Sequence, residues 1–120
     1  MPTAPEPSEE QPLTRAILLD ARLGRVTSVS RVEIREIKML PGHAAGLHMH
    51  NGPVVGSIVA GTVTYRIDGQ PGSVLHAGDV FFEPEGERIA QFDAGGEGAT
   101  WLAYFLLAPD QEPAIEMPGQ

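Results

Sequence analysis

Nowhere between Arg15 and Ala108 do the apolar residues hold the 3.6-residue stripe of an amphipathic helix; they fall in short runs, each stopped by glycine or proline. Val32, Ile34, Ile37 and Met39 alternate, with a step between 34 and 37 that predicts a bulge, and Pro41-Gly42 ends the run. Val54 to Ala60 is apolar. Gly61 separates it from Val63, Tyr65 and Ile67, which alternate with polar neighbours as far as the tight-turn pair Asp68-Gly69. Val74 to His76, Val80 to Phe82, Arg88 to Phe92 and Thr100 to Ala108 are further short strands, Arg15 to Leu19 is the first, and Ala94 to Gly98 is a loop. So many short strands between Gly and Pro turns indicate an all-β chain. At 120 residues a small double-layered barrel is the natural closure, because it removes exposed sheet edges.

Both ends have a different character. Residues 1–13 hold Pro2, Pro5, Pro7 and Pro12 among Glu, Ser and Gln, and residues 109–120 repeat the style with Pro113 and Pro118. Such segments cannot bury enough apolar surface to offset their ordering entropy, so a disordered tail over 1–13 and a flexible tail over 109–120 are expected to flank one domain at 14–108. The tails also hold Glu6, Glu9, Glu10, Asp110, Glu112 and Glu116, six of the negative charges behind a net −8. The rest is nearly balanced and has no basic patch, which argues against nucleic acid and anionic membranes as partners. No apolar run approaches the ~20 residues of a membrane span. The start lacks the basic and apolar regions of a secretory signal, and there is no cysteine, so a cytoplasmic location is expected.

Chemistry concentrates at His48-Met49-His50. On a strand, residues i and i+2 point to one side, so both imidazoles can converge on one metal ion or one small anion. His43 and His76, each beside a turn, read as solvent-facing. Phe81, Phe82, Trp101, Tyr104 and Phe105 read as core, and Glu83, Glu85 and Glu87 read by default as a solvated cluster around the Pro84 turn. Arg66 and Arg88 could bind a carboxylate, but surface pairing with nearby acids is the simpler reading.

The frame around the histidines carries a resemblance. Gly42 is followed by five residues, then His48-Met49-His50, three residues, Val54, six residues and Gly61. Farther on, Gly78 is followed by five residues, Pro84-Glu85-Gly86, two residues, Ile89, three residues and Asp93. These spacings resemble both motifs of the cupin family over roughly residues 32–107, with Val54, Ile89 and Asp93 where that family carries glutamate, histidine and asparagine. The resemblance implies a double-stranded β-helix, or jelly-roll, barrel. In metal-binding cupins two histidines, a glutamate and a second-motif histidine converge inside the barrel on iron, manganese, nickel, zinc, copper or cobalt. Carried over residue by residue, only His48 and His50 remain, and two neutral imidazoles suit Fe, Ni, Zn or Cu.

Something else must then complete the shell. Gln91, two residues after Ile89, and Glu83, just before Pro84, are the candidates. Val54 and Ile89 are expected to line a pocket more apolar than in four-ligand relatives, suited to a small organic molecule. The resemblance thus implies a metalloenzyme of isomerase, lyase, cyclase or dioxygenase type at a mononuclear site (Fe, Mn, Ni, Zn or Cu). Two alternatives stand beside it: a metal-free enzyme using histidine as acid or base, and a non-catalytic binding module. A homodimer is also expected, with Val32 to Leu40 as the first segment to test.

Overall fold

The computed structural model describes residues 12–24 and 28–116. Alternation in the sequence becomes a regular strand at β1 (Arg31–Met39), paired antiparallel with the last long strand, β6 (Ile89–Leu107), in unbroken register from Arg31 opposite Leu107 to Met39 opposite Ala99. The bulge expected between Ile34 and Ile37 does not form. Ile37 and Met39 pack toward the core, while Val32 and Ile34 lie on the outer face, 52% and 57% exposed. The apparent phase slip is two apolar surfaces of one regular strand.

From β1 the chain passes through β2 (Met49–His50), β3 (Val54–Ile67), β4 (Ser73–His76) and β5 (Val80–Glu83) to β6, and then to β7 (Ile115–Glu116). All ladders are antiparallel. β1, β6, β3 and β4 lie side by side, β5 pairs with the first part of β3, and β2 and β7 form a second, two-stranded sheet. No helix among the described residues is long and apolar enough to cross a membrane.

β3 and β6 are longer than the sequence reading divides them, because both bend where breaks are expected. The register between them shifts on either side of Gly61, and Gly61 and Gly98 have φ of +76° and +78°. A Cβ on Gly61 would stand 2.0 Å from the Gly98 carbonyl oxygen. Only glycine at Gly61 lets the two strands turn this corner together, so the ladder continues where a side chain would force a loop. The bend wraps the sheet: β5 and β1 flank the half with Val54 to Gly61, and β4 flanks the half after it.

Inside lies a run of edge-packed rings. Phe92 is 4.9 Å from Trp101, 5.1 Å from Phe81 and 5.7 Å from Tyr65, centroid to centroid. Rings at these separations attract beyond their area burial, and each large side chain buried contributes about 1.5–3 kcal/mol. Phe82 and Tyr104, read as core, are half-buried on the opposite strand face.

Two segments next to the ends differ from expectation. All but the last two residues of the tail expected over 1–13 lie outside the described residues. Arg15 to Leu19 is not a strand: Leu18 and Leu19 lie beside Val55 and Tyr104 on the outer surface. There β3 is already bonded to β5 on one side and β6 on the other, so the run can cross the sheet but cannot join it. The flexible tail expected from Pro109 is instead tied down as far as Glu116. Asn51 Nδ2 donates to the Glu112 carbonyl at 2.8 Å, and Asn51 Oδ1 accepts from the Ala114 amide at 2.9 Å. Gln111 Nε2 donates to the Asn51 carbonyl at 2.8 Å, and Ile115–Glu116 pairs with Met49–His50. Two side-chain amides thus supply the partners that the proline-rich composition suggested were missing.

Candidate metal centre

His48 and His50 share a strand face, as their spacing predicts, and both are buried, at 5% and 8% exposure. The His48 backbone bridges Ile89 in both directions (3.1 and 2.8 Å), fixing this segment against the start of β6. The two rings stand 5.0 Å apart and nearly perpendicular at 88°. His48 Nδ1 donates to the Gly46 carbonyl at 2.8 Å, which fixes the tautomer and leaves Nε2 with a free lone pair.

Glu83 completes the group. On β5, Phe81 and Glu83 face inward and alternate with Val80 and Phe82, and Glu83 is only 4% exposed. Its Oε2 lies 2.5 Å from His50 Nε2. That contact lacks hydrogen-bond direction, so the buried Nε2 has no hydrogen-bond partner among the described residues. A buried nitrogen left unbonded beside a carboxylate oxygen costs stability unless both atoms bind a shared third body. His48, His50 and Glu83 each present a ligand atom within 4.8 Å of the other two. Two imidazoles and one carboxylate, with open positions beyond, are a donor set that transition metals accept. Tyr65 steadies this part of β5: its hydroxyl donates to the Phe82 carbonyl, and burial, with Glu83 and Glu87 nearby, pushes its pKa up so that it remains a donor.

The other sequence candidates fall elsewhere. Val54 lines the cavity and is the Cα partner of Glu83 across the β3–β5 ladder. The carboxylate therefore sits one strand over from the position where the first motif would place it. Ile89 is fully buried in the core and is not among the residues lining the cavity; it meets His48 through its backbone. Gln91 does not face inward. The register shifts from Arg66 opposite Gln91 to Ile67 opposite Ile89, and the extra residue, Ala90, reverses the alternation. Phe92 takes the inward place, and Gln91 bonds Arg66 and Asp93 instead. Glu85, Glu87, His43 and His76 are exposed, whereas Glu83, grouped with the two glutamates as solvated, is not. The available signal was its place two residues after Phe81, in phase with a core side chain.

The three donors open on a cavity of about 420 Å³ walled by Val54, Phe81, Phe92, Trp101 and Phe105, with Pro113 to Ile115 along one side. Arg35 reaches it from β1, its guanidinium carbon 5.2 Å from the Phe105 ring centre. Its Nε donates to Glu33, and this bond holds the Glu33 carboxyl below the usual carboxylate range. This volume fits a small organic ligand, with a mostly apolar wall and a few polar groups to orient it.

A family model described as a cupin domain matches residues 35–105. An oxalate oxidase solved with the substrate analogue glycolate superposes with a TM-score of 0.61 at 24% identity, over 72% of this chain and 46% of that one. The DMSP lyase DddQ from Ruegeria pomeroyi gives 0.63 at 21% identity, over 74% and 45%. An RmlC-like cupin from Shewanella frigidimarina gives 0.56 at 25% identity, over 66% and 68%. The chain thus spans just under half the length of the oxidase and the lyase. No curated protein sequence matches.

Proposed function

Because this chain belongs to the cupin family, with a double-stranded β-helix fold, we propose that it acts on a small organic molecule at one transition-metal ion held by His48, His50 and Glu83. The observation that carries this reading is the buried, unbonded His50 Nε2 facing the Glu83 carboxylate at 2.5 Å, with His48 alongside. A metal bound there supplies a Lewis acid for a carbonyl or enolate oxygen, or activates water or oxygen. The protein's own groups do the rest. Gly46 orients His48, Tyr65 fixes the strand that carries Glu83, and the apolar wall excludes water from the reacting group. Val54 leaves space where a glutamate would otherwise intrude. An oxidase and a lyase among the structural neighbours agree with an isomerase, lyase, cyclase or dioxygenase class without selecting one.

Elemental analysis of tag-free protein tests the proposal. Close to one Fe, Mn, Ni, Zn or Cu per chain, lost in a His48→Ala/His50→Ala variant, is the expected result. No uptake after exposure to each of these ions refutes it. One observation favours a second reading: the His50–Glu83 contact also suits a metal-free acid–base pair. Turnover that survives complete metal removal selects that alternative. The same proposal pairs two copies along the exposed outer face of β1 at Val32 and Ile34, and light scattering that finds a monomer removes this part.

A further inference from the structure

We propose that Arg35 is the carboxylate anchor of the cavity, so that the ligand is a small organic acid with an apolar body and an oxygen donor at its far end. This rests on the cavity being the ligand site. Arg35 is the only cationic side chain among the residues lining that cavity, whose other polar side chains are His48, His50 and Glu83. Guanidinium and donor group share a neighbour: the Phe105 ring lies 5.2 Å from the Arg35 guanidinium carbon and 6.3 Å from the His50 ring. A ligand touching both ends therefore needs only a short body, and Trp101, Phe81 and Phe92 give that body an apolar wall.

The state of the guanidinium supports the assignment. Nε is engaged by Glu33, while no described residue accepts from either terminal nitrogen, so one edge of the planar fork is open to a bidentate carboxylate. The guanidinium carbon itself lies over the Phe105 ring, which restricts where that edge can point. At 47% exposure the side chain sits at the mouth: it stays hydrated when the cavity is empty, and an entering anion can reach it. Glu33 is a positioning residue, itself held by Arg31 at 3.3 Å. The ion pair uses only the Nε side of a group with five N–H donors.

The single tryptophan lines the cavity and reports binding directly. Trp101 fluorescence is titrated with glutarate, adipate and 5-hydroxypentanoate, each beside its methyl ester, on wild type, Arg35→Gln, Arg35→Lys and Glu33→Gln. Metal content is measured on the same samples. The expected result is acid binding that Arg35→Gln weakens about ten- to hundredfold and Arg35→Lys weakens less, with esters indifferent to either change. Glu33→Gln is expected to bind the acids as tightly as wild type or more so, because a competing carboxylate is gone. Equal binding of acids and esters, no binding of any acid to wild type, or a loss in Glu33→Gln as large as in Arg35→Gln overturns the proposal. Arg35-dependent acid binding by protein that takes up no metal leaves the anchor standing and removes the metal reading. Full metal content with Arg35-independent binding does the reverse.

Discussion

Replacing Glu83 with methionine separates a ligand from a structural partner. Glu83 is 4% exposed, and its Oε2 meets His50 Nε2 at 2.5 Å outside hydrogen-bond geometry. A buried polar group without a proper partner costs about 1–3 kcal/mol. Removing one member of a bonded buried pair costs about 3–5 kcal/mol because it strands the other, whereas replacing a whole pair by apolar side chains is often neutral or stabilising by about 1–4 kcal/mol; with His50 Nε2 already unbonded, Glu83→Met strands nothing new. Glu83→Met leaves His50 no worse bonded than before, so the metal-free variant is expected to match the wild type or exceed it by roughly 1–3 kcal/mol. Metal reverses the ranking. An ion present at a hundredfold its dissociation constant stabilises the native state by about 2.7 kcal/mol. For a domain of this size that raises Tm by roughly 10–20 °C in the wild type, and by almost nothing in the variant. Calorimetry of chelated and Zn(II)- or Ni(II)-loaded protein measures both quantities. A metal-free variant weakened by about 3 kcal/mol or more, with the metal-induced rise intact, refutes the reasoning, because Glu83 is then a packing partner of His50 and not a ligand.

The same geometry carries three further expected outcomes. Val54 and Glu83 face each other across a ladder, so Glu83→Val is expected to lose bound metal and Val54→Glu/Glu83→Val to regain at least half of it by elemental analysis; no recovery contradicts the idea that the carboxylate has moved one strand over. Asn51→Ala removes two bonds that hold residues 112–114, at a cost of about 1–3 kcal/mol, and hydrogen exchange at the Ala114 amide is expected to quicken while Val63 is unchanged; equal protection at Ala114 argues against the clamp. Gly61→Ala combines a positive φ with a Cβ 2.0 Å from the Gly98 oxygen, so denaturant unfolding is expected to show a loss of at least about 3 kcal/mol; a loss under about 1 kcal/mol means the corner relaxes easily.

The barrel was legible because it rests on local signals. Alternation at Val63, Tyr65 and Ile67 marks a strand directly, Gly61 marks where its course changes, and the paired motif spacings name the family. His48 and His50 were legible for the same reason, since a strand's period of two needs no partner to define it. Glu83 had only the phase of Phe81 to mark it, with Phe82 read as core as well, and Gln91 had no such mark. Which of them turns inward depends on the register of β5 and β6 against β3, and the single extra residue at Ala90 reversed the phase for Gln91. Arg35 was hidden because its role comes from long-range pairing: β1 carries it to the cavity only when aligned with β6. The clamp on residues 109–116 was hidden likewise, since Asn51 and the backbone it binds lie about sixty residues apart.

Anomalous scattering from crystals of the metal-loaded protein tests the central claim most directly. A single peak within coordination distance of His48, His50 and Glu83 together, absent from Glu83→Gln crystals grown the same way, is the expected result. A peak elsewhere, one that persists without Glu83, or no peak after soaking in Fe(II), Mn(II), Ni(II), Zn(II) and Cu(II) contradicts a metal centre at this site.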